Sequence, residues 1–256
     1  MCDGAIHPRV RIPPSPPLNI RNIMNKLKVF CDIADLNTIK EYSKKKIVKG
    51  FTTNPSLMRK AGAKNYLNYS KKILKVCKNK PVSFEVFADN FSQMEKQAHK
   101  IKELGQNVYV KIPVINSKGK FMGKLISSLS KKKIKLNITA VYKLNHVKKI
   151  INSLDKNTKS IISIFAGRMS DTGIDPVPIV KESVQNIKNY KNISILWAST
   201  REAYNYIQAR QLGCDIITMP PKIINQIENF GLSLDKLTKN TVITFLNDSK
   251  KSKFKL

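Results

Sequence analysis

The stretch NVYVKIPV, residues 107–114, sets a lysine inside an apolar strand. Val108, Val110 and Ile112 alternate to one side, and Tyr109 and Lys111 to the other. Most other basic residues fall in polar runs such as SKKKIVKG and LSKKKIKL, which read as solvated faces. A lysine in the position of Lys111 has two readings. It is half of a structural ion pair with Asp32 or Glu85, or it is an amine nucleophile that forms an imine with a carbonyl substrate. Removal from water disfavours an ammonium, which suits the second reading.

The same alternation supplies its company. Phe30 and Asp32 share a face in KVFCDIA, as do Ser83 and Glu85 in PVSFEVF. Asn137 and Thr139 share one in KLNITAV, Ser163 stands opposite Ile162 and Ile164, and Trp197 pairs with Ser199 against Leu196 and Ala198. A carboxylate for proton transfer and small polar groups for water and hydroxyls are what imine chemistry requires.

The elements that must hold these residues recur along the chain. Short apolar segments cover 28–34, 50–55, 81–87, 107–113, 135–141, 160–167, 193–199 and 215–221. Between them lie helically spaced segments such as NFSQMEKQAHKIKELG and TREAYNYIQARQLG, each ending at a glycine suited to a helix C-terminus. Eight βα units in about 230 residues predict an α/β fold, a single (β/α)8 barrel. A doubly wound sheet is the alternative, but no Gly-x-Gly-x-x-Gly follows the first strand. In a barrel the wholly apolar faces pack on the outer helices. The mixed faces point inward, their polar members toward the strand ends where catalytic groups sit. That places Lys111 inside with Asp32, Glu85, Asn137, Thr139, Ser163 and Ser199 around it.

Composition narrows the function classes. An apolar fraction of 41% is enough for a sizeable core. No run of about 18 apolar residues occurs, and no charged-then-apolar leader opens the chain. Neither a membrane span nor a secretory signal is expected. Cys2, Cys31, Cys77 and Cys214 are few and scattered, which predicts a reduced, cytoplasmic protein. With only His7, His99 and His146, and no Cys-x-x-Cys or His-x-His pair, no metal site is expected. The formal charge of +30 is spread over lysines along the whole chain, without an arginine-rich arm or an aromatic-basic stripe. It points away from nucleic acid and toward steering of small anions.

Residues 1–23 stand apart. They contain no lysine but five of the twelve prolines, with no apolar period, and they predict a disordered tail. Lysine-rich usage begins at Met24, which reads as the natural start. Residues 24–256 then form the barrel domain, with a basic helical extension at its C-terminus.

The segments KVFCDIADL, GFTTNPSLM, VSFEV, VYVKIPV, LNITAVY, SIFAGRMSD, WASTREA and DIITMPPKII, in this order, resemble the transaldolases. Among those, the resemblance is to the short branch shared with fructose-6-phosphate aldolase, and it covers about residues 26–230. It implies a (β/α)8 barrel, a cofactor-free Schiff-base mechanism, sugar phosphate substrates and a homo-oligomer built with C-terminal helices. By the same resemblance Lys111 is the Schiff-base lysine and Asp32 the general acid/base. Glu85 and Thr139 hold a catalytic water, and Asn54, Asn137 and Ser163 contact hydroxyls and intermediates. Arg168, Ser199 and Arg201 take the phosphate. Simpler roles stand beside these: Asn54 as a turn cap, Ser163 and Ser199 as small fillers. After Met24 the only arginines are Arg59, Arg168, Arg201 and Arg210, and two of these four fall at phosphate positions, where lysine is a poor substitute for a planar fork.

The chain departs from the family pattern at Ile33, Ile164 and Thr200, where Thr or Ser, Pro and Phe are usual. Glu85 and Phe165 stand where the aldolases carry Gln and Tyr, and both resemble transaldolase. The implied reaction is transfer of a dihydroxyacetone unit in the pentose phosphate pathway. Sedoheptulose 7-phosphate and glyceraldehyde 3-phosphate would give erythrose 4-phosphate and fructose 6-phosphate. The alternatives are an aldolase releasing dihydroxyacetone, a related enzyme acting on another sugar, and a non-catalytic basic binding protein on a barrel scaffold.

Overall fold

The computed structural model describes residues 27–253. The expectations placed on residues 1–23 lie outside the described residues. The strands are β1 (Lys28–Asp32), β2 (Val48–Thr52), β3 (Val82–Glu85), β4 (Val108–Pro113), β5 (Leu136–Val141), β6 (Ser160–Ile164), β7 (Ile193–Trp197) and β8 (Ile216–Met219). They pair in parallel, in chain order, and β8 closes on β1. The predicted (β/α)8 barrel is therefore the observed fold.

Helices α1 (Leu36–Lys44), α2 (Pro55–Lys60), α3 (Tyr66–Val76), α4 (Phe91–Lys102), α5 (Gly123–Lys131) and α6 (Leu144–Ser153) follow the first five strands. Then come α7 (Ala166–Ser170), α8 (Val177–Asn186), α9 (Tyr204–Gln211), α10 (Pro221–Ile227) and α11 (Leu234–Ser252). Short polar residues start many of them. The side chains of Asp35, Asn54, Asn65, Asn90 and Ser233 each accept from the backbone N–H three residues on, satisfying a donor the helix leaves unpaired.

Two apolar layers form. The larger lies between sheet and helices and includes Phe51, Phe84, Ile112 and Trp197. A small one, of Phe30, Ile161, Leu196, Ala198 and Ile216 with Tyr109 and Phe165, fills the barrel interior. Gly50 makes room for it: a Cβ there would come within 2.6 Å of the Phe30 ring.

Two expectations need correction. In β7 the predicted facing is inverted. Leu196 and Ala198 point inward, and Trp197 is buried on the helix side. Ser199 misled the phase because it follows the strand in a left-handed turn, φ 65°, where alternation no longer holds. Gly213, at φ 79°, does end α9 as expected. Gly105 is not left-handed, and α4 has already ended at Lys102, capped through Glu103.

Helix α11 buries none of its residues among the described part of the chain, and Leu234, Leu237, Val242, Ile243, Phe245 and Leu246 are exposed on it. Among the described residues no helix is long and apolar enough to cross a membrane.

Candidate active site

Lys111 occupies the middle of β4 and is only 6% exposed. Strand pairing sets Glu85 of β3 and Asn137 of β5 directly beside it. Its Nζ donates to the Thr53 carbonyl at 2.9 Å and lies 3.1 Å from Oε2 of Glu85. The ion pair of the simpler reading is thus present, with Glu85 as the partner. Tyr66 on α3 fixes the end of β3: its hydroxyl donates to the Glu85 carbonyl and accepts from the Glu85 N–H, each at 2.9 Å. Burial pushes the Tyr66 phenol upward, so it stays a neutral anchor.

A cavity of about 230 Å³ opens at the C-terminal ends of the strands, and Lys111 lines it. Asp32, Asn54, Asn137, Thr139, Ser163, Phe165, Arg168, Ser199 and Arg201 line it as well. Glu85 is the one predicted residue outside this lining, standing behind Lys111. A larger cavity of about 890 Å³ lies at the opposite end, over Phe30, Tyr109, Ile161 and Ile216. It holds none of the predicted residues, so size does not select the site; the convergence of amine, carboxylate and hydroxyls does.

Asp32 ends β1. Its Oδ1 accepts from the Thr52 hydroxyl at 2.7 Å. Burial raises its pKa above the usual carboxylate range, opposed by the charge of Lys111 and the Thr52 hydrogen bond. Thr52 in turn meets Thr218 of β8, hydroxyl to hydroxyl. Both threonines line the cavity, and sequence reading missed them. The adjacent threonines of TTNPS and the nearly uniform apolar run of DIITMPP give no alternation to follow. The inner wall is joined by a further chain. Ser163 donates to Oδ1 of Asn137 at 2.6 Å, and Nδ2 of Asn137 donates to Ser83 at 3.0 Å. Thr139 has a buried hydroxyl with no hydrogen-bond partner among the described residues. It sits where β5 leaves register with β6, one residue before Ala140 at φ 58°. Asn54 caps α2, its Oδ1 accepting from the Leu57 N–H at 2.9 Å, and it also lines the cavity.

The arginines stand at the mouth, both exposed. Arg168 stacks over Phe165, 5.6 Å from the ring centre. Arg201 is forked onto Asp171, with Nε 2.9 Å from Oδ1, and its Nη1 donates to the Ser199 carbonyl at 3.1 Å. The guanidinium holds the Asp171 carboxyl below its usual range. Gly167 permits this crowding: a Cβ there would overlap the Ser199 carbonyl. Among the described residues no group of three or more His, Cys, Asp or Glu side chains could hold a metal ion.

A buried amine with a carboxylate behind it, a second carboxylate across the cavity and a cationic rim can hold an anionic carbonyl compound and move protons around it. The family model described as "Transaldolase/Fructose-6-phosphate aldolase" matches residues 29–256. A "Probable transaldolase" of Nitrosopumilus maritimus is 32% identical over 229 residues, covering 89% of this chain and 96% of that protein. One of Sulfurihydrogenibium sp. is 35% identical over 210 residues, covering 81% and 91%. A solved structure from Burkholderia cenocepacia J2315 matches with a TM-score of 0.55 at 9% identity over 86% of this chain and 98% of that one, a likeness of fold alone. With a family match across the whole barrel and relatives of nearly equal length, the chain belongs to the transaldolase/fructose-6-phosphate aldolase family.

Proposed function

We propose that the protein is a transaldolase-type transferase working through a Schiff base on Lys111. The observation that carries the reading is the burial of the Lys111 amine in a cavity it shares with Asp32. A ketose phosphate enters with its phosphate toward Arg168 and Arg201. The Lys111 amine, its proton passed to Glu85, attacks the C2 carbonyl, and water leaves to give the iminium. Glu85 and Thr139 hold the water that relays protons in this step and its reversal. The unpartnered Thr139 hydroxyl is suited to that task. Asp32 takes the proton of the C4 hydroxyl, the C3–C4 bond breaks, and its electron pair moves into the iminium. The aldose departs, and the three-carbon enamine stays on Lys111. It then adds to an acceptor aldose phosphate while Asp32 returns the proton, and hydrolysis frees the new ketose.

Asn54, Asn137 and Ser163 serve as the hydroxyl contacts, with Ser199 at the phosphate end. Phe165 favours transfer over release. It lies in the inner layer, beside the cavity, and brings no proton to the enamine. The substrates we assign are sedoheptulose 7-phosphate and glyceraldehyde 3-phosphate, giving erythrose 4-phosphate and fructose 6-phosphate. Borohydride reduction in the presence of fructose 6-phosphate should label Lys111, as read by peptide mass mapping. Chelators should leave turnover unchanged, and without an acceptor little free dihydroxyacetone should accumulate. Labelling of another lysine overturns the mechanism. Rapid dihydroxyacetone release without acceptor replaces the transferase by the aldolase.

The same reading includes a homo-oligomer and a reducing compartment. Among the described residues Cys31, Cys77 and Cys214 are all buried and unpaired, in keeping with the cytoplasm. The apolar row on α11 is the surface we assign to subunit contact. Light scattering should give a mass several times that of the 256-residue chain, and Phe245→Asp should lower it. A monomeric wild type refutes the assignment.

A further inference from the structure

Asp32 has two carboxylate oxygens, and the base role proposed above needs one of them directed at the substrate. The structure fixes the other. β1 lies between β2 and β8, and its inward residues are Phe30 and then Asp32. Thr52 of β2 pairs with Asp32, and Thr218 of β8 pairs with Phe30. The two threonine hydroxyls meet across the inward face of β1 at 2.5 Å. Thr218 is tied from outside as well: the Thr200 hydroxyl donates to its backbone carbonyl at 2.7 Å. That contact uses one of the residues at which this chain departs from the family pattern.

Proton accounting gives the bridge a direction. A threonine hydroxyl carries one proton. Thr52 spends it on Oδ1 of Asp32. In the Thr52–Thr218 contact the donor is therefore Thr218 whenever Asp32 is ionised. Thr218 thus stabilises the Thr52 rotamer that donates to the carboxylate. A polarised donor is also a stronger one, since hydrogen bonds in series reinforce each other.

We propose that Thr218, acting through Thr52, is a positioning residue that pins Oδ1 of Asp32 and leaves Oδ2 to the substrate hydroxyl. The inference rests on Asp32 being the acid/base of the reaction. The Thr52 hydrogen bond at the same time favours the ionised carboxylate that burial disfavours. The charged groups that act on Asp32 are Lys111 on β4, which favours ionisation, and Glu85 on β3, which opposes it. β2 and β8, the strands flanking β1, contribute these two hydroxyls to it.

The test is the pH profile of kcat/KM for Thr218→Val and Thr52→Val, with circular dichroism as the fold control. Valine keeps the β-branched shape and removes only the hydroxyl donor. Both variants should lose roughly tenfold in kcat, the scale of a hydrogen bond to a charged group. Both should move the acid limb to higher pH, Thr52→Val further than Thr218→Val, with KM little changed. Thr52→Ser and Thr218→Ser should return the limb toward wild type. If Thr218→Val does not fold, Thr218→Ala is read in the same way. A folded Thr218 variant with unaltered kcat and acid limb overturns the proposal. If Asp32→Asn is inactive in the same assay, that failure belongs to the threonine bridge alone. If Asp32→Asn retains turnover, the acid/base reading falls and the bridge with it.

Discussion

Lys111→Met should abolish sugar phosphate transfer, lowering kcat by about four orders of magnitude or more, because the proposed covalent intermediate is carried on the amine that this change removes. Borohydride should then label nothing in the cavity. Lys111→Arg separates this role from the ion pair. A guanidinium can still engage Glu85 and the Thr53 carbonyl, the two partners of Lys111, yet it stays charged and does not attack a carbonyl. The Arg variant should therefore be as inactive as the Met variant but more stable. The Met variant leaves the Glu85 carboxylate without its cation, at a cost of about 1–3 kcal/mol. Thermal melts of the two variants beside their activities make the comparison. Activity in the Arg variant would reduce Lys111 to a structural lysine.

Asp32→Asn should fold and lose roughly two to four orders of magnitude in turnover, the contribution of a positioned general acid/base. It should also melt higher than wild type at neutral pH. Burial raises the pKa of Asp32 in the folded protein. The folded state then holds this proton more tightly than the unfolded state does. As pH climbs through the ordinary carboxylate range, the unfolded chain ionises first, and wild type loses stability until the raised folded value is passed. Asparagine carries no such loss. The gain in melting temperature should therefore be larger at pH 7 than at pH 3, where Asp32 is protonated in both states. An equal difference at both values would show that ionisation of Asp32 costs the fold nothing. Loss of activity with gain of stability is the pattern of a group held in place for chemistry.

Strand alternation made Lys111, Asp32 and Thr139 legible because each lies inside a strand where the period of two holds. It failed at Ser199, one step beyond β7, where a left-handed residue ends the pattern and inverted the reading of Trp197. It was silent on Thr52 and Thr218. Their roles depend on which strands flank β1, and barrel closure sets that, not any local spacing. The fork of Arg201 onto Asp171 was also beyond reach, since it joins the segments after β6 and β7, whose close approach at Gly167 is set by the tertiary fold. The eight segments themselves were plain, with edges displaced by a few residues where a polar loop begins.

The small apolar layer inside the barrel divides the interior into two storeys. Phe30, Ile161, Leu196 and Ile216 form the lower one, and Phe30, Ile161 and Ile216 also line the larger cavity at the opposite end. The upper one carries the amine, the carboxylate and the hydroxyls. Ala198 and Phe165 are the members of the apolar layer that also line the cavity above it. Substitutions in the upper storey can therefore be accepted without disturbing the plug beneath, except at those two positions. The upper storey is thus where a change of bound molecule can be accepted one residue at a time: Thr200 lines the cavity there, whereas Ile164 is buried in the outer core and Ile33 packs against that core.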